Sequence, residues 1–336
     1  MMADPFSQSV DYFVMHALKN CPRLRHLYIW NHELSIDFIN QIAQHGQKLS
    51  YLELDFGNTN ASNIFSPLLM KKLKYLGLQD LKQCNYKTDD LLALIKSCVE
   101  LNSLCLYECE IPNDTISQLI DLKKEKLKYF EITPTGIDDE WLQHLENCPK
   151  LEHLYIGKVY ITQSGFEAIS KLKNLKYLQL GFPGDRSVQV YEANDAIIML
   201  SNGKFKKMEV LNIYGIIDAI SPIIMCALLA CPNLQYLTVE CITDKREDFP
   251  TNIIKVLFDN LTELRELKLS WWCRSTDNSV FIKSHLEEIV EKCKYKLEVD
   301  ISENDDCWNC GNEECEFKRS TQLSIRKCVF KKCSYH

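Results

Sequence analysis

The feature that most constrains this chain is a motif, leucine-x-x-leucine-x-leucine, that recurs in one register along its length. It reads LRHLYI from Leu24, LSYLEL from Leu49, LKYLGL from Leu73, LNSLCL from Leu101 and LKYFEI from Leu127. It continues as LEHLYI from Leu151, LKYLQL from Leu175, MEVLNI from Met208, LQYLTV from Leu234 and LRELKL from Leu264. A weak last copy, KLEVDI, starts at Lys296. Eleven copies, mostly 24 to 28 residues apart, do not arise by chance. The 336 residues therefore escape the two-domain expectation for a globular chain, because a repeat buries its apolar face only against its neighbours.

Inside each motif apolar and polar residues alternate, which is the pattern of a short half-buried strand. Between motifs the apolar spacing turns helical. Leu91, Leu92, Leu94 and Ile95 follow a capping signal at Thr88. Trp141, Leu142 and Leu145 follow Asp138, and Phe166, Ile169 and Leu172 follow Thr162. Ahead of the first motif, Val10, Phe13, Val14, Ala17 and Leu18 form one apolar stripe, so the chain opens on the helix of an ordinary repeat. Each unit predicts strand, turn, helix and return. Stacked, such units form an α/β solenoid with parallel strands on the inside of a curve and helices outside. Residues 1–20 are then the helix of a truncated first repeat, 21–302 the repeat array, and 303–336 a cysteine-rich cap or tail.

A second signature precedes several strands: NCPRL from Asn20, NCPKL from Asn147, ACPNL from Ala230 and, more loosely, SCVEL from Ser97. Cys293 holds the same offset before the last copy. A small buried cysteine ends the helix and proline forbids its continuation. Lying a repeat or more apart, these thiols read as packing groups rather than reactive or metal-binding ones.

Together the two signatures resemble the cysteine-containing class of leucine-rich repeats, typical of F-box/leucine-rich-repeat proteins, from about Val10 to Ser302. The resemblance implies a horseshoe like that of ribonuclease inhibitor. It also implies a protein-binding module that recognises substrates for an SCF-type ubiquitin ligase; a stand-alone interaction or inhibitory scaffold is the alternative. The chain departs from the class in three ways. The position that is often Asn or Cys holds Cys109 and Asn304, but elsewhere His32, Gly57, Thr135, Pro183 and Trp272. The repeats from Leu175, Leu234 and Leu264 run to 33, 30 and 32 residues, with the excess in GFPGDRSVQV from Gly181 and CITDKREDFP from Cys241, expected as surface loops. No F-box stands ahead of the repeats in this sequence, so docking on a ligase adaptor requires one upstream.

Alternation assigns the third, fifth and seventh motif positions to the concave face. The third holds His26, Tyr51, Tyr75, Tyr129, His153, Tyr177 and Tyr236; Tyr28, Trp30, Tyr107, Tyr155 and Tyr214 lie in adjacent columns. Such rings anchor interfaces, and they also stack along a parallel sheet. Acidic residues share the face at Glu53, Asp55, Glu131, Glu240, Glu266, Glu298 and Asp300, opposed by Lys268 alone. The expected partner is a protein presenting a basic segment.

Catalysis is not expected: the chain lacks H-E-x-x-H, a P-loop, G-x-G-x-x-G and G-x-S-x-G. A net charge of −7 gives no reason to hold a phosphate backbone, so nucleic acid is not expected either. No run of 18 apolar residues appears, and the first residues lack the charge and apolar stretch of an export signal. With 16 cysteines, this points to a reducing compartment, the cytoplasm, the nucleus or both. The tail carries Cys307, Cys310, Cys315, Cys328 and Cys333, whose first pair is a C-x-x-C zinc signal. It reads either as a zinc clasp or as a thiol-rich cap over the open end of the array.

Overall fold

The computed structural model describes residues 5–30, 34–57, 59, 64–65, 68, 70–133, 139–158, 160–182, 197–217, 220–243, 256–257, 260–273, 301–302 and 325–326. The chain divides into two compact units, Met1–Val159 and Tyr160–His336.

In the first unit the strands are β1 (His26–Ile29), β2 (Tyr51–Asp55), β3 (Tyr75–Gln79), β4 (Ser103–Tyr107), β5 (Tyr129–Thr133) and β6 (His153–Ile156). Each pairs in parallel with the next, and each begins at the third residue of its motif. The register aligns motif with motif, so His26, Tyr51, Tyr75, Ser103, Tyr129 and His153 lie side by side. A slip of one residue would turn every leucine out of the core, which is why the register is fixed so tightly. The residues between, such as Leu52, Leu54, Leu76, Leu78, Phe130 and Ile132, are buried. They pack with the buried faces of α1 (Pro5–Asn20), α2 (Ile36–His45), α3 (Thr88–Ser97), α4 (Asn113–Lys123) and α5 (Leu142–Leu145).

The second unit repeats the scheme with α6 (Gln163–Ser170), β7 (Tyr177–Gly181), a 3-10 helix (Ile197–Asn202), β8 (Val210–Ile217), α7 (Ile220–Ala230), β9 (Tyr236–Thr243) and β10 (Glu266–Cys273). Strands β7 to β10 are parallel and in order. β8 carries a bulge between Ile213 and Ile216. Gly215 sits there at φ +77°, where a Cβ would stand 2.6 Å from the Phe182 carbonyl oxygen, so only glycine fits. On the other edge of β10 lie two short strands. Ile301–Ser302 (β11) is parallel and keeps the motif register, Leu269 to Ile301. Ile325–Arg326 (β12) is antiparallel, which the repeat pattern did not foretell. Both units are therefore leucine-rich-repeat stacks, α/β in class.

Several local expectations need correcting. Thr88 and Thr162 give α3 and α6 no side-chain cap; Ser35 does cap α2, accepting from the Phe38 amide at 3.1 Å. Phe13 on α1 is 73% exposed, although α1 packs on α2. Cys21 is exposed as well, whereas Cys98, Cys148 and Cys231 at the same offset are buried. Leu92 escapes the core and lines a groove between α3 and α4. The buried Cys109 thiol donates to the carbonyls of Leu78 and Tyr107 at 3.3 and 3.4 Å. Asp80, Glu108 and Lys158, each the eighth residue of its repeat, adopt left-handed backbone at φ 52°, 51° and 57°. His32, Thr135, Asp138, Pro183, Cys293, Glu298, Asp300 and Asn304 lie outside the described residues, as does most of the two inserted loops.

Candidate protein-binding face

The strand alternation places every described member of the tyrosine columns on the sheet face turned away from the helices. In the first unit His26, Tyr28, Trp30 and Tyr107 are exposed, and Tyr51, Tyr75, Tyr129, His153 and Tyr155 are half-buried. The rings stack along the sheet. Tyr51 lies flat on Tyr75 with centroids 4.1 Å apart, Tyr75 meets Tyr129 at 6.2 Å, and Tyr129 meets His153 at 6.1 Å. His26 closes one end against Tyr51 at 5.6 Å, and Tyr28 rests on Trp30 at 5.0 Å. Stacking fixes these rings before any partner arrives, which lowers the entropy an interface must offset.

The carboxylates are held just as firmly. The Tyr51 hydroxyl donates to Glu53 at 2.6 Å, and the Tyr129 hydroxyl donates to Glu131. Burial, reinforced by the Glu53 bond, pushes the Tyr51 phenol up to about 12. Burial does the same, further, to Tyr75 and to Tyr129, where the Glu131 bond adds to it. Asp55 accepts from the Gly57 amide at 2.9 Å. Among the described residues of the first unit, no lysine or arginine occupies the third, fifth or seventh motif position.

Two residues that pattern reading passed over complete this surface. Between Glu53 and Glu131 the fifth position is Gly77 on β3 and Cys105 on β4. Cys105 is 7% exposed, and burial followed by the nearby Glu131 charge keeps its thiol protonated, which makes it inert rather than nucleophilic. Aligning the fifth positions would have revealed the small pair between two acids.

The second unit differs. Tyr177 donates to Gln179 at 3.0 Å and accepts from Asn212 at 2.8 Å. Tyr214 is half-buried and Tyr236 is 38% exposed. The Lys268 ammonium neutralises Glu266 at 2.8 Å. The Glu240 side chain lies outside the described residues, as do Cys307, Cys310, Cys315, Cys328 and Cys333. Among the described residues, the strand columns that hold carboxylates and no lysine or arginine are those of the first unit. On the helix side, Leu92, Ala93 and Leu122 floor a groove of about 510 Å³ rimmed by Asp89, Lys96 and Asp121. Among the described residues no group of three or more His, Cys, Asp and Glu side chains is placed to hold a metal ion, and no helix is long and apolar enough to cross a membrane.

No family model and no curated protein matches this chain. Solved structures do. An internalin from Listeria monocytogenes is 22% identical, with 77% of this chain and 72% of that one covered, at a TM-score of 0.41. The TLR13–ssRNA13 complex is 18% identical, covering 80% of this chain but 35% of the other, at 0.43. The Arabidopsis receptor kinase HAESA, solved with the peptide hormone IDA and the co-receptor SERK1, is 12% identical over 76% of this chain and 39% of its own, at 0.40.

Proposed function

We propose that this chain is a protein-binding leucine-rich-repeat module whose first unit grips a basic segment of its partner across the outward sheet face. One observation carries the reading: pre-stacked tyrosines and the carboxylates Glu53, Asp55 and Glu131 share a face whose described third, fifth and seventh motif positions hold no lysine or arginine. Aromatic anchors supply area at low entropic cost, and the charge selects and steers a cationic partner. The same charge disfavours a phosphate backbone. The test is charge reversal. Glu53→Lys, Asp55→Lys and Glu131→Lys together abolish recovery of the proteins that the native chain retains, whereas Asp89→Lys on the helix side does not. Equal recovery by the triple variant refutes the reading.

The finer proposal is that this module recognises substrates for an SCF-type ubiquitin ligase in the cytoplasm or nucleus. What supports it is the cysteine signature with its buried Cys98, Cys148 and Cys231. Sequencing the 5′ end of the transcript and weighing the endogenous protein decides it. An in-frame helical segment upstream and a mass above 39.1 kDa favour the ligase arm; a start at Met1 with a matching mass favours a stand-alone scaffold. For the tail, the proposal is a zinc ion held by thiolates drawn from Cys307, Cys310, Cys315, Cys328 and Cys333. Metal analysis of purified protein showing well under one equivalent removes it.

A further inference from the structure

Each strand of the first unit is entered through a tight turn, and the turns are nearly copies of one another. Leu24, Leu49, Leu73, Leu101 and Leu151 donate their amides to the carbonyl three residues before, and Leu127 donates to that of Lys123. The residue just ahead of the leucine stands at the turn: Arg23, Lys48, Lys72, Glu100, Lys126 and Lys150. The residue just after it is laddered from repeat to repeat, the amides of Lys74, Asn102, Lys128 and Glu152 each donating to the carbonyl at the same position of the preceding repeat. The two residues ahead of each leucine and the one after it include nine lysines and arginines, all exposed, against Glu100, Glu125 and Glu152, in a chain whose net charge is −7. The fold does not call for this edge. Stacked repeats lie about 4.8 Å apart, so Arg23, Lys48 and Lys72 on successive turns repel one another. Lys48 and Lys126 lie three residues past the ends of α2 and α4, beyond the last turn in which a helix dipole favours a cation. The ammonium groups of Lys48, Lys71, Lys72, Lys74 and Lys128 make no hydrogen bond or ion pair among the described residues. At the opposite edge, past the strand ends, Lys82 and Lys158 are both held by Glu108, at 3.9 and 2.8 Å.

We propose that this basic edge of the first unit rests on an anionic lipid surface, with the turns among the headgroups and the acidic sheet face left free for its own partner. Turns built alike project to one level, so a flat charged surface meets all of them at once. The carboxylates of Glu53 and Glu131 follow the laddered column by three residues, about 10 Å along the strand and past the physiological screening length of about 8 Å. The surface therefore feels the lysines rather than the acids. Val99, 50% exposed on one of the turns, adds an apolar contact at the headgroup boundary. No aromatic ring occupies these turn positions, so the edge offers no platform on which unpaired bases would stack. A peripheral contact of this kind needs no spanning helix.

The test floats the full chain with vesicles of phosphatidylcholine, made with and without phosphatidylserine. The chain rises only with the vesicles that contain phosphatidylserine, and raising the salt from about 0.05 M to about 0.5 M releases it. Each lysine at such a surface contributes about fivefold in affinity, so Lys72→Gln with Lys74→Gln weakens binding at least about tenfold. Lys82→Gln with Lys158→Gln, the same change in charge at the opposite edge, leaves binding within about twofold. Equal losses from the two pairs would mean that net charge and not this edge governs, and would overturn the proposal. Equal binding to both kinds of vesicle, or to neither, overturns it as well. Should the chain ignore the vesicles yet hold single-stranded RNA or polyglutamate through Lys72 and Lys74, the edge takes a soluble polyanion and the lipid surface is excluded. None of these lysines belongs to the acidic sheet face, whose reading stands or falls on its own charge reversal.

Discussion

Replacing Gly77 by alanine separates the architecture of this face from its chemistry. Gly77 is buried in the middle of β3, and a Cβ there would stand 2.7 Å from Glu53 Cγ, 3.0 Å from Glu53 Cδ and 3.2 Å from Tyr75 Cε1. All three are side-chain atoms, so the side chains yield and the strand keeps its place. Alanine in a strand interior gains about 0.5–1 kcal/mol over glycine by restricting the unfolded chain. Displacing Glu53 forfeits the Tyr51 hydroxyl bond, a partly exposed charge-assisted contact that contributes about 1 kcal/mol. The two nearly cancel, and urea unfolding should place Gly77→Ala within about 1 kcal/mol of the native chain. The Tyr51 phenol, meanwhile, loses the Glu53 contribution to its rise to about 12 and moves part of the way back towards 10.0, burial holding the remainder. Carbon-13 NMR of the tyrosine Cζ atoms across an alkaline titration reads this directly. A loss beyond about 3 kcal/mol would mean the neighbours cannot yield, and an unmoved Tyr51 would mean Glu53 does not lie over Gly77.

Other outcomes follow from the same geometry. Trp141 is fully buried with its ring edge-on to Phe130 at 5.9 Å, so Trp141→Ala costs about 3–5 kcal/mol by chemical denaturation, and under about 1 kcal/mol would refute its role as the plug of that repeat. Lys123 is 6% exposed and its ammonium donates to the Cys98 carbonyl at 2.6 Å, at the C-terminal end of α3. Lys123→Ala therefore costs about 1.5–3 kcal/mol and speeds amide exchange in α3; unchanged exchange there contradicts the account. Tyr51, Tyr75 and Tyr129 are all raised, chiefly by burial, so the folded chain keeps protons that the unfolded chain releases near pH 10. The stability they contribute is complete below about pH 10 and is lost as pH rises towards 12, which urea melts across that window will show as a steep fall; a flat profile refutes the burial.

Most of the architecture was legible because strand and helix speak different periods. Every strand from β1 to β10 starts at the third residue of a motif, since the buried leucines admit one register only. What failed was whatever depended on having a neighbour. Phe13 and Cys21 follow the repeat pattern yet stand exposed, since a periodic stripe records what a helix could bury and not what covers it. The left-handed residues Asp80, Glu108 and Lys158 carry none of the glycine or asparagine that would announce them. The tyrosine stripe could be read from alternation alone. The small pair Gly77 and Cys105 between the two acids was not read, because a search for chemistry-bearing side chains passes over the small ones.

The central claim is that the outward face of the first unit selects basic protein segments. Selection of a random peptide library on the purified chain, run beside the variant with Glu53→Lys, Asp55→Lys and Glu131→Lys, tests it most directly. The account predicts that the native chain enriches basic peptides and that the variant enriches none of them. Enrichment of neutral or acidic sequences, or of the same peptides by both proteins, would contradict it.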